Sequence, residues 1–293
     1  MNTTYPIYIV SKGRWESRQT SKLFDAEGVD YRIVVEPQEY EEYCKVIDEI
    51  KVLKLPFSNL GLGSYPARNF CWEHSIKEGH EKHWVFDDNI TQIRRVNKGR
   101  KIKCNILKSF EVLESFTDRY SNVGLSSFNY STFVIAGFSD KKPFLINSRC
   151  YSAILIKNDM DVRWRMKYNE DIDLCLQVLS NKLCTINFNA FVIDKTSTVA
   201  KMIGGNQTEL YKGNAFEKKV LKARSLEMIW GDYCKTITRY GRPHHFVDWK
   251  KFKHGLIRRT DIDWKSLKSI ELKLEKKSKI KTDSLIQFYN DNK

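Results

Sequence analysis

The chain has 293 residues, 41% hydrophobic and 13% aromatic, enough apolar material for one large or two modest packed domains and too much for a disordered chain. No apolar run approaches the roughly 20 residues of a membrane-spanning helix, and the opening MNTTYPIYIVSKGR lacks the order of a secretory signal, so a cytoplasmic protein without a membrane is expected. Seven cysteines, at 44, 71, 104, 150, 175, 184 and 234, are odd in number and form no C-x-x-C pair; they exclude a disulfide framework and a zinc knuckle and read as reduced core thiols. The formal charge of +14 is unevenly placed: residues 211 to 293 carry 21 Lys and Arg against 10 Asp and Glu, the first 210 residues 29 against 26. A basic excess gathered in one region suits a polyanion-binding surface, because each cation brought to a phosphate releases a condensed counterion. A solvated basic face is the plainer reading.

In chain order, YPIYIVSKGRW (5 to 15) is β-rich and ends in the polar turn Ser11-Lys12-Gly13-Arg14. A short helix over 17 to 28, closed by Gly28, and a buried strand YRIVVEP (31 to 37) follow. Strand, helix, strand is the start of a parallel α/β sheet. QEYEEYCKVIDEI (38 to 50) has helical periodicity and VLKLP (52 to 56) is strand-like. A glycine-containing loop then opens a helix with Ala67, Phe70, Cys71 and His74 at helical spacing, and WVFDDN arrives directly after it. ITQIRRVNKGRKIK (90 to 103) reads as a basic excursion, and LKSFEVLESFTDRY (107 to 120) as an amphipathic helix with Leu107, Phe110, Leu113 and Phe116 on one side. Strands are predicted at 122 to 128, 132 to 138 and 150 to 158, then a loop, an acidic helix start, an apolar helix and a closing strand over 164 to 193. No internal repeat or low-complexity tract is present.

Two acidic clusters fall at element ends: Asp87-Asp88-Asn89, where an apolar strand stops, and Asn169-Glu170-Asp171-Ile172-Asp173, where an apolar helix starts. Unpaired adjacent carboxylates repel, and burying them costs several kcal/mol by order of magnitude, so a cation is expected beside them. At the carboxyl end of an α/β strand, an acidic pair can hold Mg2+ or Mn2+ together with the diphosphate of a sugar nucleotide. The plainer alternatives are a turn after a strand and a well-capped helix.

In this order, Ser11-Lys12-Gly13-Arg14, the loop Leu62-Gly63-Ser64-Tyr65-Pro66-Ala67-Arg68-Asn69, Asp87-Asp88-Asn89 and residues 169 to 173 resemble the GT-A glycosyltransferases. More narrowly they resemble the phage group called TET-associated glycosyltransferases, which attach sugars to modified bases of DNA. The resemblance covers about residues 5 to 210 and, with YGRPHHFVDWKKF (240 to 252), part of the tail. It implies an α/β fold with a GT-A-like, mixed, mostly parallel sheet flanked by helices over 1 to 210, and a basic, mainly helical extension over 211 to 293.

The resemblance also implies roles. Asp87 would contact the nucleoside or the metal, and Asp88 and Asn89 the metal and diphosphate; Asn89 stands where the usual Asp-x-Asp motif ends in a carboxylate, which leaves open which of the three touches Mg2+ or Mn2+. Asp171 or Glu170, with Asp171 preferred, would take the proton from the acceptor hydroxyl as its oxygen attacks the anomeric carbon. Ser11, Lys12 and Arg14 would line the nucleotide pocket. Arg68 is a candidate for uridine or phosphate because a planar guanidinium pairs bidentately with oxyanions; a surface arginine at a helix start is the bland alternative. Gly204 and Gly205 are small enough to let backbone approach a sugar or phosphate, with Asn206 able to read hydroxyls; a plain two-glycine turn competes.

In the tail, Arg239, Arg242, Lys250, Lys251, Lys253, Arg258 and Arg259 interleave with Tyr240, Phe246, Trp249 and Phe252, a mixture suited to phosphate contact and base stacking. His244 and His245 read as packing or phosphate-contact residues, since adjacent histidines point apart in an extended segment. The expected activity is transfer of glucose or arabinose from a UDP-sugar to the hydroxymethyl group of a modified cytosine in double-stranded phage DNA, in the cytoplasm of the infected host, with no obligate protein partner. A GT-A transferase acting on a glycan or protein, and a non-catalytic DNA-binding module, are the alternatives.

Overall fold

The computed structural model describes residues 3–135, 142–196, 204–205 and 215–265. The apolar runs of the first 90 residues become β1 (Ile7–Val10), β2 (Arg32–Val35), β3 (Val52–Lys54) and β4 (Lys82–Asp87), four parallel neighbours in the order β3-β2-β1-β4. Between them lie α1 (Gln19–Glu27), α2 (Tyr40–Cys44) and α3 (Tyr65–Lys77). Gly28 closes α1 at φ 67, a left-handed cap that a side chain would strain.

The sheet continues through β5 (Ile90–Asn97), β6 (Arg100–Lys103), β7 (Val123–Tyr130), β8 (Phe144–Ile146), β9 (Ala153–Lys157) and β10 (Cys184–Lys195) in the order β4-β9-β7-β10-β5-β6, with β8 also on β10. β9 is antiparallel to both neighbours, so the sheet is mixed; β7 and β10 restore a parallel pair. α4 (Ile106–Thr117) and α5 (Glu170–Ser180) cover its faces.

Alternation along β1 and β4 explains the layering. Ile7, Ile9, Trp84 and Phe86 enter one core cluster with Phe24 of α1 and Phe110 of α4. Tyr8 and Val85 enter the other, with Cys71 and Trp72 of α3 and Cys175 of α5. Both faces of the central strands are therefore buried, which is why they read as continuous apolar runs. Trp84 Nε1 donates to Glu114 Oε1 (2.8 Å), giving the buried indole its partner.

Three readings need correction. Residues 90 to 103 are not an excursion: β5 and β6 form a hairpin whose turn, Lys98-Gly99, has φ 48 and 74, the geometry of a tight two-residue connection. Of the strand expected at 132 to 138, Ser131–Phe133 is instead a 3₁₀ turn, and 136–138 lie outside the described residues. The tail is not mainly helical among its described residues: α6 (Ala215–Trp230) is followed by a hairpin of β11 (Cys234–Arg239) and β12 (Arg242–Val247).

The tail is fastened to the sheet unit. Ile172, Leu176 and Leu179 of α5 share a core cluster with Leu226, Cys234, Val247 and Phe252. Asn147 Nδ2 donates to the carbonyls of Phe252 (3.2 Å) and His254 (2.6 Å). No described helix is long and apolar enough to cross a membrane.

Candidate active site

Register brings the predicted residues together. Val10 is paired with Asp87 across β1 and β4, so Ser11 to Arg14 and Asp87 to Asn89 leave the sheet side by side at its carboxyl edge. Asp87 N donates to Ser152 O (2.8 Å) at the start of β9, and Lys195 at the end of β10 pairs with Ile90. The first turns of α3 and α5 converge on the same point and bring Arg68, Glu170 and Asp171. A cavity of about 340 Å³ results, lined by these residues and by Tyr130, Tyr151 and Lys222.

Arg68 is its floor, 3% exposed. Its Nη2 donates to Asp87 Oδ1 (2.7 Å), its Nε to Ser64 Oγ (3.1 Å), and its Nη1 stands 3.4 Å from Asp171 Oδ1. The guanidinium also lies over Trp164, 4.7 Å from the ring centre. The other oxygen of Asp87 accepts from Ser152 Oγ (2.6 Å) and from Lys195 Nζ. Asp88 is turned inward, 4% exposed, and accepts from Arg14 Nη1 (2.5 Å) and Ser11 Oγ (2.6 Å).

Burial and neighbouring charge separate these acids. Burial pushes Asp87 up, but Lys195 and Arg68 outweigh it and hold the carboxyl well below the usual range, so it is ionised at any working pH. Burial raises Asp88, with Arg14 and Ser11 opposing. Burial lifts Asp171 to about 7; Arg68 opposes, and the Glu170 and Asp87 charges add to the rise. One ionised and one near-neutral carboxyl thus share Arg68, a division suited to a general base beside a charge-binding group.

Residues 169 to 173 do open a helix, with three acids in its first turn, but without a side-chain cap. Asn169 sits at φ 55 and makes no cap through its side chain, whose Nδ2 donates to Lys222 O (2.5 Å). Glu170 accepts from Ser64 Oγ (3.0 Å), while Asp173 is buried under Arg165, Gln177 and Trp230. Asn169 and Ser152 (φ 57) both hold left-handed backbone; Asn169 directly precedes Glu170 and Asp171, and Ser152 donates to Asp87.

The family model of the TET-Associated Glycosyltransferase matches residues 5–205. The chain belongs to this family. A solved protein from Desulfovibrio desulfuricans G20, whose description as a nucleotide-diphospho-sugar transferase is itself an inference, is similar at 9% identity and a TM-score of 0.37 over 64% of this chain and 80% of that one. No curated protein matches. The chain is therefore a glycosyltransferase that uses a nucleotide-sugar donor, and its mixed sheet flanked by helices accords with a GT-A fold.

In this TET-associated glycosyltransferase the divalent ion expected at Asp87, Asp88 and Asn89 meets a donor set that does not fit it. Both oxygens of Asp87 face cations, those of Asp88 are taken by Arg14 and Ser11, and Asn89 Nδ2 donates to Thr196 O (2.8 Å). Among the described residues no three His, Cys, Asp or Glu side chains gather as a metal centre would require. The cation that the acidic pair demanded is supplied by the chain.

The other expected donor residues are present with defined duties. Lys12 Nζ donates to Glu36 Oε1 (3.0 Å) and Asn59 Oδ1 (3.2 Å) at the cavity edge. Gly205 N donates to Lys12 O (2.7 Å), and Arg14 Nη2 donates to Gly204 O (3.1 Å). A Cβ on Gly204 would stand 2.2 Å from Gly13 O, and one on Gly205 2.5 Å from Arg14 Nη2, so the glycines let the segment close on the first loop. Only Gly205 lines the cavity; Asn206 lies outside the described residues.

None of the nine expected DNA-contact residues lines the cavity. Arg239 and Arg242 are exposed at the hairpin tip, around Tyr240-Gly241, and Lys250, Lys251 and Lys253 are exposed on the strap that follows. Arg258 stacks on Trp264 (4.5 Å), and Arg259 pairs with Asp261 (2.5 Å) and donates to Asp118 O (3.5 Å). Asp118 pairs with Lys82, which begins β4, so these two arginines stand at the end of that strand opposite the site. His244 is half-buried; burial, with Lys222, His244 and Arg149 nearby, lowers His245 to about 4, so His245 is neutral at pH 7 and adds no charge for phosphate.

Residues that sequence reasoning missed are Ser64, Tyr130, Tyr151, Ser152, Lys195 and Lys222. Lys195 had a faint signal, a cation ending the long apolar run of β10 as Asp87 ends that of β4.

Proposed function

We propose that the protein transfers glucose or arabinose from a UDP-sugar to the hydroxymethyl group of 5-hydroxymethylcytosine in double-stranded DNA. The observation that carries the reading is the pair Asp87 and Asp171 on either side of Arg68, one held ionised and the other lifted to about 7, at the carboxyl edge where open α/β sheets take their ligands. In this reading Lys12, Arg14 and Arg68 face the donor. Asp171 takes the acceptor proton as the new bond to the anomeric carbon forms, and the electron pair of the old bond leaves on the nucleoside diphosphate. Glu170, held by Ser64, orients the neighbouring acid. The exposed hairpin tip, with Arg239 and Arg242 flanking Tyr240, would meet the DNA backbone. No step is routed through Mg2+ or Mn2+, because the carboxylate oxygens of Asp87 and Asp88 already meet Arg68, Ser152, Lys195, Arg14 and Ser11.

The test is incubation with hydroxymethylcytosine DNA and a panel of UDP-sugars, followed by mass analysis of the nucleosides. A hexose or pentose mass on hydroxymethylcytosine is expected. Transfer only to a glycan or protein acceptor would overturn the DNA reading and leave the glycosyltransferase standing.

A further inference from the structure

Lys195 and Arg68 stand where a glycosyltransferase needs positive charge. Lys195 is the last residue of β10, its ammonium bonded to Asp87 and donating to Ser152 Oγ (2.7 Å), 5.7 Å from the ring centre of Tyr130. Arg68 Nη1 is buried inside the cavity wall without a hydrogen-bond acceptor, although Asp171 is near. Asp171 Oδ1, 3.4 Å away, is likewise without a hydrogen bond, so the two meet only as an ion pair and the guanidinium N–H can turn to an entering oxyanion. The charge balance of the walls agrees: among the described residues five Lys and Arg side chains and four carboxylates line the cavity. The walls thus carry surplus base before any ion is added, so positive charge for a diphosphate is supplied by the chain itself.

We propose that Lys195 and Arg68 themselves neutralise the donor diphosphate, so that donor binding and sugar transfer proceed without a divalent ion. The inference rests on the reading of this cavity as the donor site. As the bond between the anomeric carbon and the β-phosphate oxygen breaks, its electron pair stays on the diphosphate, whose growing charge meets the ammonium and the guanidinium. The acceptor oxygen forms the new bond and its proton passes to Asp171. Asp87 is then a positioning residue that aims both cations at the diphosphate.

The test is calorimetric titration of the full chain with UDP, and with GDP, ADP and dTDP for comparison, in EDTA and again in Mn2+ or Mg2+. One diphosphate is expected to bind in EDTA with a Kd within threefold of that in metal. Lys195→Met should weaken that binding more than tenfold in EDTA, Lys195→Arg should recover most of it, and thermal unfolding of both variants reports whether they fold. Binding that appears only after metal is added would overturn the inference while leaving the donor site in place. Unchanged binding by a folded Lys195→Met would also overturn it. Failure of every diphosphate to bind under both conditions would overturn the donor-site reading and the inference with it. The wild-type comparison does not depend on the fate of any variant.

Discussion

Asp171→Asn separates a catalytic acid from a helix cap by two measurements that move in opposite directions. Asp171 is lifted from 3.8 to about 7 chiefly by burial. The folded protein therefore keeps a proton on this carboxyl up to about pH 7, whereas the unfolded chain releases it near 4. Folding takes up a proton in that window, so stability falls as pH rises from about 4 to about 7 and stays low above it. At about 1.36 kcal/mol per pH unit the full displacement amounts to roughly 4 kcal/mol, and solvent entering at the cavity mouth reduces it to about 2–4 kcal/mol. The amide carries no such penalty. Asp171→Asn should gain about that much stability at pH 8, an upward Tm shift of several degrees, only about a third of it at pH 5, and almost none near pH 3. Turnover should fall by about 10²–10⁴-fold, because the base is gone. In the wild type, kcat measured where chemistry limits should rise roughly tenfold from pH 6 to pH 8 as the ionised fraction of the base grows, and that rise should vanish in the variant. A variant with near-wild-type turnover, or with the same pH profile, or without the stability gain at pH 8, would refute the assignment.

The remaining predictions test the parts around that acid. Gly204→Ala places a methyl 2.2 Å from Gly13 O at a φ of +82; urea unfolding should show a loss of about 2 kcal/mol or more, with weakened UDP binding by calorimetry. Arg239→Gln with Arg242→Gln at the hairpin tip should lower the slope of log DNA affinity against log salt by about 1.8, since each phosphate contact contributes about 0.9, and should leave UDP affinity unchanged. Because His245 is lowered to about 4, DNA affinity measured by fluorescence anisotropy should show no step between pH 6 and 8 attributable to it, and His245→Gln should reproduce the wild-type profile there. Phe110→Ala, inside the ring cluster of Phe24, Trp84, Phe86 and Phe128, should cost about 3–5 kcal/mol in urea unfolding.

The parallel half of the fold was legible because its strands are buried on both faces and its helices carry simple periodicity. Phe110, Leu113 and Phe116 are buried as their spacing on α4 predicts. The hairpin of β5 and β6 was harder to see, because its buried residues Ile90, Ile93 and Val96 fall at every third position instead of every second, and Arg94, Arg95, Lys101 and Lys103 fill the pattern with charge. The β11–β12 hairpin was masked in the same way, its lysine, arginine and histidine content reading as a nucleic-acid surface and not as strand. In the site, the residues that announce themselves by motif were found. Ser152, Tyr130 and Lys195 were not, because Ser152 and Lys195 reach Asp87, and Tyr130 reaches Ser152, only through the long-range pairing of β9, β7 and β10.

That long-range pairing also decides what kind of site this is. Two adjacent carboxylates at a strand end do demand a counter-charge, and read locally the demand points outward, to a metal. The chain answers it inward instead, with Arg68 19 residues before Asp87, Arg14 74 residues before Asp88 and Lys195 108 residues after Asp87. Such pairs, more buried than exposed, are held because removing one partner strands the other, a loss of about 3–5 kcal/mol. Each cation is thus fixed by the acid it serves, and a diphosphate entering the cavity meets charge that is already in place. A site preorganised in this way needs little rearrangement when negative charge develops on the leaving group, which is the condition under which electrostatic stabilisation contributes most to a rate.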